Sequence, residues 1–251
     1  MKKLTTLLFD VDGTLADTEE IHRQSFNRAF AQAGLDWHWS QALYTELLSV
    51  TGGKERIRHY LATCLPEAVL PADPDEYIAA LHAAKTRFYT ETVAAGGLPM
   101  RPGVERLLRE ARQAGLRLGI ATTTTPANVS ALLQHNLAAD AESWFEVIAA
   151  GGVVPAKKPA PDIYHYAMQA MGVDAAECLA FEDSANGLHS ALAAGLQTLV
   201  TASEYTQHHD FSGAALVLDH LGEPGQPFRV LSGPAYDPGM VDVKLLHELH
   251  S

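Results

Sequence analysis

The chain has 251 residues, 47% of them hydrophobic and 19% charged, which is the composition of an ordinary globular protein. This length allows one large domain or a domain with a smaller partner. The formal net charge of −12 argues against nucleic-acid binding, which usually relies on a basic surface. No apolar run approaches the roughly 18 residues of a membrane span, and the stretch after Met1-Lys2-Lys3 is too short for a signal peptide. We therefore expect a cytoplasmic protein without a membrane partner.

The first predicted element is a buried strand over residues 4–9, and the sequence DVDGT follows it at residues 10–14. Side chains alternate along an extended chain, so Asp10 and Asp12 can face one site together. An Asp carboxylate can attack phosphorus, and a second Asp can protonate the leaving oxygen and later deprotonate water. The alternative is a polar turn at a strand end, where Asp and Gly are common.

The next segment, from about 17 to 96, contains several predicted helices and no convincing strand. These helices are expected near residues 19–33, 40–49, 54–64 and 75–94. We predict a second, all-helical domain over residues 17–96, inserted into a core that consists of residues 1–16 and 97–251.

Strands and Gly-terminated helices then alternate as far as about residue 200. This order predicts an α/β fold with a parallel sheet and helices on both faces, in which ligands bind at the carboxyl ends of the strands. No role is assigned to the Gly- and Pro-rich tail after about residue 222. The predicted helices are Val104 to Ala114, Ile163 to Met171 and Leu188 to Ala194, and the strands are Leu116 to Ala121, Cys178 to Phe181 and Leu196 to Val200.

A run of four threonines, residues 122–125, follows one of these predicted strands. The hydroxyl of Thr122 and the exposed N–H groups around Thr123 can bind phosphoryl oxygens. Thr is also common at strand ends and helix caps, so this run alone is a weak signal.

Two further charged elements complete the predicted site. Lys158 can supply a fixed positive charge that stabilises a transferring phosphoryl group, although a single Lys is usually a solvated surface residue. Glu182 and Asp183 follow another predicted strand and suit a hard cation such as Mg²⁺. The alternative for this acidic pair is an interaction with the dipole of the following helix.

Taken in this order, these elements resemble the haloacid dehalogenase-type phosphohydrolase superfamily over about residues 4 to 200. The resemblance implies a Rossmann-like core with a helical cap inserted after the first strand, and a phosphoric monoester hydrolase that forms an aspartyl-phosphate. It also implies that Mg²⁺ binds the side chain of Asp10, the backbone carbonyl of Asp12 and Asp183, with Glu182 at or beside the metal. The implied catalytic residues are Asp10, Asp12, Thr122 and Lys158.

The sequence TGGKER at residues 51–56 is the most suggestive part of the predicted cap. Gly52 and Gly53 expose backbone N–H groups, and Lys54 and Arg56 offer two cations near a helix start. Such a loop can grip a second phosphate away from the reacting one. The alternative is an ordinary loop followed by a solvated, charged helix.

Other residues of the predicted cap are weaker candidates. Lys85 can add positive charge, although Lys on a helix surface is usually unremarkable. His22 can assist Asp12 in proton handling because its free pKa lies near neutrality, but a His on an amphipathic helix is more often a partly buried polar residue.

Four segments, residues 17–22, 51–56, 120–125 and 157–162, resemble the CbbY-like subgroup of the superfamily. The resemblance implies a xylulose-1,5-bisphosphate phosphatase of the Calvin cycle, which removes an inhibitor of Rubisco and yields xylulose 5-phosphate. It also implies that Asp17 contacts substrate hydroxyls. Asp17 stands where some members have Glu.

The remaining candidates are expected to be structural. Trp37 and Trp39 are predicted to pack inside the cap. His208-His209-Asp210 superficially suggests a metal site, but it lies in a predicted loop. Cys64 and Cys178 are too few for a disulfide framework, and both are expected to be small buried residues in a reducing cytosol.

Three rival functions remain open. A sugar phosphomutase such as β-phosphoglucomutase resembles this chain across cap and core, and motifs do not report how long an aspartyl-phosphate survives. Dehalogenase chemistry fits less well, because it needs neither a second acid at the position of Asp12 nor a metal. A non-catalytic protein that binds a phosphorylated metabolite would have no need of a paired nucleophile and acid. The expected form is a monomer that acts on a small sugar phosphate or bisphosphate.

Overall fold

The computed structural model describes residues 2–96, 98–237 and 239–251. Within those ranges the chain forms a seven-stranded sheet in the order β3-β2-β1-β4-β5-β6-β7. Neighbouring strands run parallel except for β6 and β7, which are antiparallel. The strands are β1 Thr6–Phe9, β2 Arg117–Ala121, β3 Val147–Ala149, β4 Cys178–Glu182, β5 Gln197–Thr201, β6 Leu216–Leu218 and β7 Val230–Ser232.

The helices fall into two groups along the chain. The first group lies between β1 and β2 and consists of α1 Glu19–Gln32, α2 Gln41–Leu47, α3 Gly53–Cys64, α4 Pro74–Ala94 and α5 Val104–Gln113. The second group consists of α6 Pro126–Asn136, α7 Asp162–Met171, α8 Ala185–Ala193 and α9 Val243–His250.

The interior strand β1 is buried on both faces, because its alternating side chains enter two separate hydrophobic clusters. Leu7 and Phe9 belong to the cluster that includes Leu107 of α5. Leu8 belongs to the opposite cluster, with Ile163 of α7. The sheet therefore carries helices on both faces, and the predicted α/β fold with a Rossmann-like parallel sheet is confirmed.

The segment 17–96, called here the helical segment, supplies all but one of the buried residues of a further hydrophobic cluster. Its aromatic side chains pack at tilted and edge-to-face angles, for example Trp39 against Phe26 at 4.6 Å and against Tyr60 at 5.5 Å between ring centroids. Trp39 is fully buried, and Trp37 packs against the same cluster. The prediction that both tryptophans pack in this segment is therefore confirmed.

The predicted elements agree with the observed ones to within a few residues. The four helices expected near 19–33, 40–49, 54–64 and 75–94 correspond to α1 to α4. The division of the chain into a cap of residues 17–96 and a core of residues 1–16 and 97–251 remains a prediction. Met1 and Gly97, which bound the two core segments, lie outside the described residues.

The cysteine prediction is half right. Cys178 is buried at the start of β4, whereas Cys64 is exposed at the end of α3, where the helical segment turns into an exposed loop.

Across the described residues, no helix combines the length and the apolar character needed to span a membrane.

Candidate active site

Three neighbouring strands bring the predicted catalytic residues to one edge of the sheet. Asp10 follows β1, Thr122 follows β2, and Glu182 and Asp183 lie at the end of β4. Because β1 lies between β2 and β4, these strand ends are adjacent. The backbone N–H of Asp10 donates to the carbonyl of Phe181 at 3.0 Å, which fixes the two acidic strand ends side by side.

A buried lysine joins the two acidic strands. The Nζ atom of Lys158 donates to Asp10 Oδ1 at 2.7 Å and to Glu182 Oε1 at 2.6 Å. The hydroxyl of Tyr164 donates to the same oxygen of Glu182. All four side chains are buried, so Lys158 is not the solvated surface residue of the alternative reading.

The charges of this cluster shift the pKa values of its members in defined directions. Burial, with the charge of Glu182, raises the pKa of Asp10 to about 7 against the opposing charge of Lys158. Burial also disfavours the charged form of Lys158, but the two carboxylates outweigh it and raise the lysine pKa. Lys158 thus remains a fixed positive charge beside Asp10.

The second Asp of the DVDGT sequence points away from Lys158 and into the helical segment. Its Oδ1 atom accepts a hydrogen bond from the Thr18 hydroxyl at 2.7 Å and lies 2.9 Å from His22 Nε2. The other ring nitrogen of His22, Nδ1, lies 2.7 Å from Lys85 Nζ. Burial raises the pKa of Asp12, but the His22 imidazole, the Thr18 hydroxyl and the charge of Lys85 hold it well below its usual range.

This arrangement places His22 and Lys85 behind the predicted acid. Both are buried, and His22 stacks on Tyr89 with 4.3 Å between ring centroids. Burial lowers the pKa of Lys85 to about 8, although the charge of Asp12 opposes this shift. His22 and Lys85 thus orient one oxygen of Asp12 from the side of the helical segment.

Three carboxylates converge in a manner that suits a divalent cation. Asp10, Glu182 and Asp183 each offer an oxygen, and these oxygens lie within 4.8 Å of one another in a buried position. Burial and the charges of Asp10 and Glu182 raise the pKa of Asp183 well above its usual value. Glu182 Oε2 is buried without a hydrogen-bond partner among the described residues. Three carboxylates so close together repel one another, and a hard cation such as Mg²⁺ would neutralise this repulsion by binding their oxygens.

Two glycines make room for these carboxylates. A Cβ atom on Gly13 would lie 2.2 Å from Asp183 Oδ2, and one on Gly187 would lie 1.8 Å from Glu182 Oε2. Gly13 also has a φ of +77°, which favours glycine. The Gly of the DVDGT sequence is therefore required both for its turn and for the approach of Asp183.

The threonine run lies where strand β2 passes into helix α6. Thr122 is buried, and its Oγ1 accepts a hydrogen bond from the N–H of Thr124 at 3.3 Å, which leaves the hydroxyl proton free to donate. Thr125 caps α6 by accepting from the N–H of Asn128. Thr122 and Thr123 both face the cavity described next.

A cavity of about 570 Å³ lies between the strand ends and the helical segment. It brings together all but one of the residues proposed from the sequence to act in catalysis, substrate binding or metal binding. These are Asp10, Asp12, His22, Gly52, Gly53, Lys54, Arg56, Lys85, Thr122, Thr123, Lys158, Glu182 and Asp183.

The exception is Asp17, which is not among the cavity-lining residues. Its side chain is exposed and pairs with Arg101 Nε at 3.2 Å, because it lies where the chain leaves the sheet before α1 begins. Glu19, two residues further along the chain, lines the cavity instead and accepts a hydrogen bond from the Tyr44 hydroxyl at 2.8 Å.

The two cations of the predicted cap loop have different surroundings. Lys54 is exposed at the cavity. Arg56 also lines the cavity, but its guanidinium donates to the carbonyls of Leu47 and Val50 and to the Tyr44 hydroxyl. Arg56 therefore also organises the loop that precedes it.

Several cavity-lining residues were not identified from the sequence. Lys157 lies next to Lys158 and donates to Glu55 of the helical segment at 2.8 Å. Asn186 donates to the carbonyl of Ser49 and to the Thr51 hydroxyl, both at 3.0 Å. His82 and His209 line the same cavity. Lys157 and Asn186 lie close to predicted site residues in the sequence, but that position does not distinguish a cavity-facing side chain from a solvated one.

The His208-His209-Asp210 sequence does not form a metal site in the described part of the chain. Among the His, Cys, Asp and Glu residues of that part, the group whose ligand atoms converge is Asp10, Glu182 and Asp183. The Nδ1 atom of His209 instead accepts a hydrogen bond from the N–H of Ala185 at 3.2 Å.

A family profile for haloacid dehalogenase-like hydrolases matches residues 4–195. The chain belongs to this family. It is 53% identical over 236 residues to a plasmid-encoded protein CbbY from Cupriavidus necator, across 94% of this chain and 91% of that protein. The predicted membership of the CbbY-like subgroup and the predicted enzyme class, a phosphatase, are thereby confirmed.

Solved structures agree with this assignment. The crystal structure of a mutant CbbY from Rhodobacter sphaeroides in complex with xylulose 1,5-bisphosphate is 44% identical, with a TM-score of 0.83 over 88% of this chain and 96% of that chain. A β-phosphoglucomutase from Clostridium difficile is 19% identical, with a TM-score of 0.71 over 86% of this chain and 91% of that chain. At that identity the second likeness concerns the fold alone.

Proposed function

We propose that this phosphatase hydrolyses a sugar bisphosphate, xylulose 1,5-bisphosphate, to xylulose 5-phosphate and inorganic phosphate. The observation that carries the proposal is a single cavity in which the strand-end residues Asp10, Thr122 and Lys158 face Lys54 and Arg56 of the helical segment. These cations, one on the strand side of the cavity and two on the helical segment, suit a substrate with two phosphates. The 44% identity to a CbbY that was crystallised with this bisphosphate supports the same substrate.

In the proposed reaction Asp10 is the nucleophile. Its carboxylate attacks the phosphorus in line, the bond from phosphorus to the sugar oxygen breaks, and an aspartyl-phosphate forms. Lys158, 2.7 Å from Asp10 Oδ1, and the free hydroxyl proton of Thr122 stabilise charge on the phosphoryl oxygens.

Asp12 is the proposed general acid and base. It donates a proton to the leaving sugar oxygen and then removes a proton from the water that attacks the aspartyl-phosphate. His22 and Thr18 hold its Oδ1 atom, which leaves the other oxygen to face the cavity. Proton transfer and phosphoryl transfer are thus assigned to two acids with different surroundings.

Mg²⁺ is the proposed cofactor. Asp10, Glu182 and Asp183 supply the side chains that would hold it, and a carbonyl ligand from Asp12 is part of the proposal. When bound, the cation would neutralise the converging carboxylates and the negative charge of the phosphoryl group.

The helical segment, residues 17–96, is the proposed cap. The Lys157–Glu55 pair and the hydrogen bonds from Asn186 to Ser49 and Thr51 join it to the strand-end loops around the cavity. Closure of such a cap over the substrate would exclude water from the site. The Calvin-cycle role, the cytoplasmic location and the monomeric state belong to the same proposal.

The first test is phosphate release from a panel of sugar mono- and bisphosphates, with and without Mg²⁺. We expect strong Mg²⁺-dependent turnover of xylulose 1,5-bisphosphate. Preference for a monophosphate would overturn the substrate but not the phosphatase. Interconversion of sugar phosphates without net phosphate release would favour a mutase.

The second test is Asp10→Asn, which keeps the shape of the side chain and removes the nucleophile. We expect turnover to fall by at least about 10⁴-fold, because no other route forms the aspartyl-phosphate. Asp17→Asn is the matched control, since Asp17 lies outside the cavity and should retain near-normal turnover. Substantial activity in Asp10→Asn would contradict the mechanism.

A further inference from the structure

Tyr205 lies in the loop after β5, yet its side chain is buried in the aromatic cluster of the helical segment. Only 7% of the residue is exposed. Its ring meets the ring of Tyr44 edge-on, with 6.0 Å between centroids and an interplanar angle of 88°. A residue from the strand side of the molecule therefore completes the packing of the opposite segment.

The hydroxyl of Tyr205 adds a polar contact to this packing. It donates to Glu20 Oε2 at 2.5 Å. Glu20 is itself held by the guanidinium of Arg23, and these contacts hold the pKa of Glu20 to about 2. Glu20 is therefore an ionised acceptor at neutral pH, and a hydrogen bond to a charged acceptor is stronger than a neutral one.

Tyr44, the partner of the Tyr205 ring, positions two cavity-lining side chains. Its hydroxyl donates to Glu19 Oε2 at 2.8 Å and accepts from Arg56 Nη1 at 2.9 Å. Both Glu19 and Arg56 line the cavity, whereas Tyr44 is fully buried behind them. The position of Tyr44 therefore determines where these two charged groups stand.

The loop that carries Tyr205 also contributes directly to the cavity. Thr206, next in the chain, and His209 both line it. Thr206 Oγ1 is fixed by Ser203, accepting from the Ser203 N–H at 3.0 Å. One short loop thus forms part of the cavity wall and at the same time contacts the residues that support the opposite wall.

We propose that Tyr205 is a positioning residue for substrate selection, which sets Arg56 and Glu19 in the cavity through Tyr44. This role rests on the proposed function, because it assigns to Arg56 the part of the substrate that lies away from the reacting phosphate. Loss of the Tyr205 side chain loosens the wall formed by the helical segment and leaves the contact between Asp10 and Lys158 in place.

The test compares Tyr205→Ala, Tyr205→Phe and Tyr77→Ala in the Mg²⁺-loaded full chain. Tyr77 packs against the same aromatic cluster but does not line the cavity, so its removal reports a merely structural loss. Kinetics are measured with xylulose 1,5-bisphosphate and with p-nitrophenyl phosphate, a small monoester that carries no second phosphate for Arg56.

We expect Tyr205→Ala to raise KM for the bisphosphate at least about tenfold, because Tyr44 loses the ring that packs against it, with kcat changed much less. With p-nitrophenyl phosphate, KM and kcat should stay within about threefold of the wild type. Tyr205→Phe keeps the ring contact and should recover most of the loss. Equal losses with both substrates, or the same KM increase in Tyr77→Ala, would overturn the proposal.

Hydrogen exchange of the ligand-free protein separates this proposal from the identity of the substrate. We expect the amides of α2 and of residues 48–56 to exchange faster in Tyr205→Ala than in Tyr77→Ala. Unchanged exchange would overturn the positioning role even in an enzyme that hydrolyses the bisphosphate. A wild type that hydrolyses no sugar phosphate would instead remove the proposed function, and the exchange result would still decide whether Tyr205 orders this wall.

Discussion

Arg101 offers the sharpest test of how the catalytic turn is held. Its buried guanidinium donates to backbone carbonyls from three parts of the chain, and its Nε atom lies 3.2 Å from Asp17 Oδ1. The carbonyl acceptors are those of Gly13, Thr201, Ala202 and Asp219. One side chain therefore ties the DVDGT turn to the ends of β5 and β6.

The cost of removing this cation follows from the number of acceptors. Arg101→Met leaves four carbonyls without their charged donor, and each unsatisfied buried carbonyl costs about 1–1.5 kcal/mol. We expect the free energy of unfolding to fall by about 4–6 kcal/mol. This is a large part of the roughly 5–15 kcal/mol that stabilises a protein domain.

Urea unfolding, followed by circular dichroism, measures this change. Arg101→Lys is the matched variant, because it keeps the charge but lacks the planar guanidinium that reaches several carbonyls at once. We expect it to lose about half as much stability and to show reduced phosphatase activity, since the carbonyl of Gly13 belongs to the catalytic turn. A loss below about 1 kcal/mol in Arg101→Met, or an Arg101→Lys variant equal to wild type, would refute the reasoning.

Two further predictions concern other positions. Gly13→Ala should lower turnover at least about tenfold, because the added Cβ would displace Asp183. Gly34→Ala is the control: Gly34 also has a positive φ but has open space around it, so the substitution should cost only about 1 kcal/mol of stability. Burial, and then the charge of Lys85, lower the pKa of His82 to about 3. Below pH 6.5, the ordinary His pKa, the unfolded chain therefore binds a proton that the folded protein does not, so stability falls as the pH falls. His82→Phe should abolish up to about 2 kcal/mol of the loss in unfolding free energy between about pH 6.5 and 5, and an identical pH dependence in wild type and variant would contradict this.

The central part of the fold could be predicted because its signals are local. The apolar runs of β1, β2 and β4 are each followed by polar residues, and parallel order then brings their ends together. The elements that were missed lack such signals. β3 Val147–Ala149 has only three residues, and β7 Val230–Ser232 lies in a Gly- and Pro-rich tail whose composition resembles a loop.

The catalytic residues could be predicted for the same reason, whereas the cavity wall could not. Whether Asp17 or Glu19 enters the cavity depends on where helix α1 begins, a detail of one or two residues. Tyr205 and Glu20 are far apart in the chain, and no periodicity links them. Contacts of this kind follow from tertiary packing, which a single sequence does not encode in any local pattern.

The net charge of −12 raises the question of how this protein attracts a phosphate ester, and the cavity answers it. Of the 18 Lys and Arg residues, five line the cavity within the described parts of the chain, against six of the 30 acidic residues. The cavity is thus close to neutral while the remaining surface is strongly acidic. Lys158 is paired with Asp10 and Glu182, and Lys157 with Glu55, so each cation is held in place by the acid beside it. A divalent cation on the converging carboxylates would change the formal charge of the whole cavity lining from −1 to +1, with the added charge at the strand ends, where the reacting phosphate is proposed to bind.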